Sequence, residues 1–182
     1  MFFSGFGPLL LSGTWMTIQL ALLSLLLSVI IGLIGASSKL SSIKILRYIA
    51  TAYTTLIRSV PDLVIMLLLF YSLQLGLNQI TEALQMDQID INPFVAGVIT
   101  LAFIYGAYFT ETFRGAFQSV PKGQIEAAMA YGMTPWQVFH RVLFPQMMRF
   151  ALPGIGNNWQ VLIKATALVS IDRKSTRLNS SH

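Results

Sequence analysis

The residues able to do chemistry in this 182-residue chain are few, and most of them stand inside apolar stretches. Arg58 and Asp62 lie four positions apart around Pro61, Glu111 and Arg114 lie three apart, and Lys164 stands by itself. A charge at mid-bilayer costs about 2.5–3.5 kcal/mol on the insertion scale, so such residues face a partner or a cavity. On a continuous helix both spacings let the two members of a pair neutralise each other. The other reading is that Asp62 or Glu111 lines a path and meets a cationic ligand. Glu111, near the end of its apolar stretch, is then better placed as a gate or loop anchor. Thiol and hydrolytic chemistry have no comparable support. There is no cysteine, and the two histidines are His140, in a polar loop, and His182, the last residue. No G-x-x-x-x-G-K-[ST] segment is present to cradle a nucleotide phosphate, so ATP hydrolysis would belong to another chain.

The elements that must position these charges follow from composition. Hydrophobic residues make up 54% and charged ones only 10%, against about 25% charged in a soluble domain, and mean hydropathy is +0.66. Disorder and a disulfide scaffold are excluded, and an all-α transmembrane protein is expected. Residues 14–36 carry no charge and give a helix of about 35 Å, enough to cross a hydrocarbon core of about 30 Å. No basic residue precedes them, which argues against a signal peptide. Ser24, Ser28, Gly32 and Ala36 recur at four-residue steps, a small-residue stripe that admits a second helix backbone. The second apolar stretch, 45–77, contains Arg58, Pro61 and Asp62; it is expected to be one helix, begun before the proline and bent there. The third, 94–113, repeats the small spacing at Ala102, Gly106 and Thr110, and the fourth, 150–171, contains Lys164.

Loop charges orient these four spans. Lys39, Lys44 and Arg47 follow the first without an acid, and Glu82, Asp87 and Asp90 follow the second without a base. Loop 114–149 carries Arg114, Lys122, Arg141 and Arg149 against Glu126. Basic loops stay in the cytoplasm, which puts the N-terminus outside and the long loop inside. The formal charge of +5 is explained by topology, without nucleic acid.

That cytoplasmic loop is patterned. Pro121 suits a first helical turn, residues 124–131 propagate it, and Gly132 terminates it; Thr134-Pro135-Trp136-Gln137 reads as a capping box opening a second helix, which Pro145 closes off from the fourth span. Ile125, Ala128 and Met129 form an apolar ridge on the first helix. A DNA-binding helix-turn-helix would want basic residues on the second helix, where only His140 and Arg141 qualify. An interfacial hairpin on lipid and a docking helix for a cytoplasmic partner remain, and the docking helix is preferred.

Glu126-Ala127-Ala128, Gly132 and Val142-Leu143-Phe144-Pro145 resemble the EAA loop of ABC importer permeases, with the spacing intact and mild departures at Val142 and Phe144. Tyr108, Glu111, Arg114, Gly115, Gly123-Gln124, Pro145-Gln146, Arg149 and Leu152-Pro153-Gly154-Ile155-Gly156-Asn157 are similar to the polar amino acid branch of that family. Ile57-Arg58-Ser59-Val60-Pro61-Asp62-Leu63 resembles its Arg-Gly-Thr-Pro segment, in a version similar to permeases for histidine, lysine, arginine and ornithine and for opines. The resemblance implies a permease, not itself an enzyme, in the bacterial inner membrane, with five spans of which about four are present. It implies coupling through Glu126, Ala127, Ala128, Gly132 and Pro145 to two cytoplasmic ATP-binding subunits, which supply ATP and Mg. A second permease, a periplasmic binding protein and membrane lipid complete the set of partners, and no cofactor or metal is expected in this chain. Arg58, Pro61, Asp62, Glu111 and Lys164 are the candidate translocation or gating residues. The readings from other classes are a membrane enzyme, for which the histidines give no cluster, and a non-transporting structural subunit.

Residues 172–182 change abruptly to a polar basic tail that would emerge on the outer face, against the charge rule. They resemble an in-frame translation of a sequencing-library adapter, so 1–171 is expected to be the permease domain and 172–182 a non-native tail.

Overall fold

The computed structural model describes residues 7–83 and 92–179. Its helices are α1 (Gly7–Leu40), α2 (Lys44–Ser59), α3 (Asp62–Ala83), α4 (Pro93–Ser119), α5 (Lys122–Ala130), α6 (Pro135–Val138) and α7 (Phe144–Asn179). A π-helical turn, Phe139–Leu143, joins α6 to α7. Asp87, Asp90 and residues 180–182 lie outside the described residues, while the α7 backbone runs on through most of the basic tail.

Three helices are long and apolar enough to cross a membrane among the described residues: Leu11–Leu40, Asp62–Ile80 and Pro93–Ser119. The second span differs from the expectation of one bent helix. Val60 is extended at φ −104° and ψ 139°, because a residue before proline is pushed out of the helical region. The chain therefore breaks into α2 and α3, and the Pro61 carbonyl accepts the first bonds of α3 from Val64 and Ile65, at 3.0 and 3.1 Å. Running to Ala83, α3 is long enough without α2. The fourth expected span, 150–171, is helical, but Gly154, Gly156, Asn157, Asn158, Gln160 and Lys164 keep it from being a continuous apolar segment. Pro145 does not separate the loop from α7. It lies inside an unbroken helical run from Pro135, directly after the π-helical turn, where the ladder already changes register and can accommodate the missing N–H.

The bundle is built around α4, whose start is fixed by the Asn92 side chain accepting from Phe94 N at 3.0 Å, with Pro93 following the cap. In its apolar window 67% is buried, against 6% for α3. The two small-residue stripes turn out to face each other: α1 runs parallel to α4, with Gly32 against Phe109, Gly35 against Thr110 and Ile31 against Gly106. Ser24, Ser28, Ala36 and Thr110 are fully buried there. Ser28 Oγ donates to Ser24 O at 2.6 Å and Thr110 Oγ1 to Gly106 O at 2.8 Å, so the Ser28 and Thr110 hydroxyls are satisfied by their own helices. Antiparallel to α4, α7 brings Gly154 and Asn158 onto Thr112, and Asn158 Nδ2 donates to Thr112 Oγ1 at 3.0 Å.

A Cβ at Gly32 would lie 2.5 Å from Phe109 Cβ and 3.0 Å from its backbone carbon. Gly32→Leu should therefore push α1 off α4 and cost about 1–3 kcal/mol, seen as a lowered melting temperature in detergent. Gly13→Leu, where a Cβ meets nothing within 4 Å, should not lower it.

Candidate functional site

At the end of the bundle where α1 gives way to α2, one carboxylate gathers three cations. Glu111, on α4, accepts from Arg114 Nε and Nη2 at 3.0 and 2.7 Å, completing the expected i,i+3 pair. Its other oxygen accepts from Lys39 Nζ, at the end of α1. Arg58 Nη1, from α2, stands 4.0 Å from Glu111 Oε2. The Lys39 and Glu111 side chains are only 11% and 16% exposed, so this cluster clamps three helices in a partly dry setting. Sequence reasoning took Lys39 only as a topological charge. The missed signal lay in the paired stripes: the parallel register that sets Gly35 against Thr110 also carries Lys39 to the level of Glu111.

The expected Arg58–Asp62 pair is not formed. The break at Val60 and Pro61 removes the common helix face that the four-residue spacing presumes. Arg58 lies over the Tyr108 ring, 5.7 Å from its centroid, while Asp62 Oδ1 accepts from Tyr108 Oη at 2.7 Å. Asp62, in the first turn of α3, meets the positive end of that helix.

Asp62 also lines a cleft of about 200 Å³ between α3, α4 and α7. Leu63, Met66, Ile104 and Tyr105 make most of its wall apolar, and Lys164 enters from α7. Asp62 and Lys164 are thus brought to one cavity, and among the described residues no ion pair joins them. An acid and a base on a shared apolar cleft offer complementary charges to a zwitterion, in surroundings where such contacts are worth more than in water.

The loop forms a separate, exposed site. At the end of α5, Gly132 N donates to Met129 O at 2.9 Å and Met133 N to Ala128 O at 3.2 Å, a Schellman motif closed by Gly132 at φ +79°. Thr134 and Gln137 form the expected reciprocal capping box, with Pro135 following the cap. The apolar ridge is divided: Ala128 is buried and Ile125 half-buried against the rest of the loop, while Met129 points out. The outer face consists of Glu126, Ala127, Met129, Tyr131 and Trp136, and Tyr131 is 89% exposed. Trp136 stacks on Phe139 and His140 at 5.8 and 6.3 Å between centroids, which fixes the aromatic edge of that face.

Removing the Glu111 charge leaves Lys39 and Arg114 facing each other without a counterion. Glu111→Gln should cost about 3 kcal/mol of stability, read by thermal melting of the purified protein. Adding Lys39→Met should recover part of that loss, because it removes one of the stranded cations.

Residues 28–171 match the family model described as "Binding-protein-dependent transport system inner membrane component". The histidine/lysine/arginine/ornithine transport system permease protein HisQ of Salmonella typhimurium is 64% identical over 167 residues, covering 92% of this chain and 73% of that protein. The nopaline transport system permease protein NocQ of Agrobacterium fabrum is 43% identical over 170 residues, covering 92% and 72%. A crystal structure of an amino acid ABC transporter with histidines superposes with a TM-score of 0.75 at 35% identity, covering 96% of this chain and 79% of that one. With helical architecture, loop and sequence in agreement, the chain belongs to the family of binding-protein-dependent transport system inner membrane components, the permease subunits of ABC importers.

Proposed function

We propose that this chain is a permease subunit that carries basic amino acids, histidine, lysine, arginine and ornithine, into the cell on the power of ATP hydrolysed elsewhere. The observation that carries the substrate class is the carboxylate of Asp62 on the cleft wall, hydrogen-bonded to a neutral phenol and ion-paired to none of the described residues. It is available to the cationic group of a ligand, and Lys164 supplies a partner for the α-carboxylate. The Salmonella relative's name supports the same substrates. A nopaline importer is the second reading, supported by the name of the Agrobacterium relative.

In this reading the N-terminus lies outside and the loop end inside. A periplasmic binding protein delivers substrate, and a second permease, of the same or a sister chain, completes the pore. Two ATPase subunits bind ATP and Mg, each receiving one permease loop in a groove. Glu126, Ala127 and Met129 on the exposed side of α5 are the contact face, with Gly132 holding its angle and Pro145 starting the helix that returns to the membrane. Closing of the ATPases then moves the helices between inward- and outward-facing states. Glu111 acts as an anchor that keeps the loop in register with the bundle.

Asp62→Asn should lower lysine and arginine uptake about tenfold or more, the worth of a charge-assisted hydrogen bond, while immunoblots show normal insertion. Unchanged uptake would reduce Asp62 to a structural partner of Tyr108. At Gly132 a Cβ meets nothing within 4 Å, so the cost of substitution lies in the backbone alone. Gly132→Val, at about 1–2 kcal/mol of left-handed strain, should leave the protein inserted but cut transport per ATP hydrolysed, whereas Gly132→Asn should retain more of it. Normal transport and normal ATPase co-purification in Gly132→Val would exclude this role.

A further inference from the structure

Arg58 and Asp62 are opposite charges separated by three residues, yet they do not meet. Both are held by one side chain. The Tyr108 hydroxyl takes Asp62 Oδ1 at 2.7 Å, and the Tyr108 ring takes the Arg58 guanidinium on its face, 5.7 Å from the centroid. We propose that Tyr108 is a specificity-determining positioning residue, which keeps Arg58 from neutralising Asp62 and so preserves the cleft's preference for a cationic ligand. The proposal rests on the reading of Asp62 as the residue that meets the ligand's cation.

Arg58 is the cation with most reason to move. Glu111 is already engaged by Lys39 and doubly by Arg114, so Arg58, at 4.0 Å, is its most distant partner, and its side chain is 46% exposed. The Arg58 guanidinium reaches both the Tyr108 ring and Glu111, while Asp62 is held at the Tyr108 hydroxyl, so Tyr108 stands between Arg58 and Asp62. Its hydroxyl satisfies one Asp62 oxygen without cancelling the charge, and among the described residues no ion pair engages the carboxylate. The wedge is itself supported, since Tyr105, a wall residue of the cleft, packs against it with ring centroids 5.7 Å apart. Without the hydroxyl, Asp62 loses its neutral partner, and the Arg58 guanidinium, already lying over the same ring, can turn to it. A ligand cation then meets a carboxylate that is already paired.

The test uses the complete transporter, with its ATPase, second permease and binding protein, in proteoliposomes. Uptake of arginine is compared with uptake of histidine at pH 8, where the free imidazole is neutral. Tyr108→Phe keeps the ring but not the donor, and it should lower the arginine-to-histidine ratio about tenfold, in line with a lost charge-assisted contact. Adding Arg58→Gln should restore the ratio, because no cation is left to occupy Asp62. Arg58→Lys, whose ammonium sits less well on the ring, should lower the ratio in the same direction even if Tyr108→Phe fails to assemble. A ratio unchanged in Tyr108→Phe, or lowered but not restored by Arg58→Gln, overturns the proposal. An unchanged ratio in Arg58→Lys does so too. If Asp62→Asn lowers the ratio while Tyr108→Phe does not, the wedge fails and the cleft reading stands; if neither changes it, the cleft reading fails and takes the wedge with it.

Discussion

Where α1 crosses α4 there is no side chain at Gly32, Gly35 or Gly106, and the two backbones close into the space so left. In lipid no hydrophobic force pushes helices together, so close van der Waals contact between small residues must do it. That contact fixes the parallel register of the pair. Once it is fixed, Lys39 arrives beside Glu111, and the loop following α4 leaves the bundle at a set height. Phe109 and Phe113, fully buried and stacked at 5.8 Å between centroids, fill the neighbouring volume and leave little room for an alternative register.

The charge cluster depends on that register and in turn joins α2 to the pair. A single carboxylate facing Lys39, Arg58 and Arg114 is a crowded arrangement, tolerable because Arg114 is also engaged by Gln118 and Arg58 by Tyr108. Tyr53 gives α2 a second tie, donating to the Phe103 carbonyl of α4. α2 is thus pinned along its C-terminal half by polar contacts rather than by deep burial, and only Ala50, Thr54 and Ile57 along it are buried.

Much of this was legible in the sequence because its cause is local. The small stripes, the Thr134 cap and the left-handed glycine each follow from a few adjacent residues, and the structure reproduces them. Reading failed where two local rules compete. Arg58 and Asp62 obey the i,i+4 spacing, but Pro61 acts on Val60 and breaks the helix, so the spacing lost its meaning. Pro145 has the same ambiguity, since a proline usually marks a helix boundary, but here the run from α6 through the π-helical turn into α7 passes it unbroken. Long-range pairs such as Lys39 with Glu111, or Asp62 with Lys164 in the cleft, have no local signature. They are products of register and crossing.

α7 has a mechanical property that follows from where it touches α4. Its contact with Thr112, through Gly154 and Asn158, is centred about 18 Å from its start at Phe144 and about 12 Å from Lys164, counting 1.5 Å per residue. Fully buried Met147, Ala151 and Leu162 hold it to the bundle on both sides of that contact, so a sideways push on the loop end reaches Lys164 only by bending the helix or by shifting it as a whole. Pro153, one residue before Gly154, removes a rung from the hydrogen-bond ladder, so any bending of α7 concentrates beside the Thr112 contact.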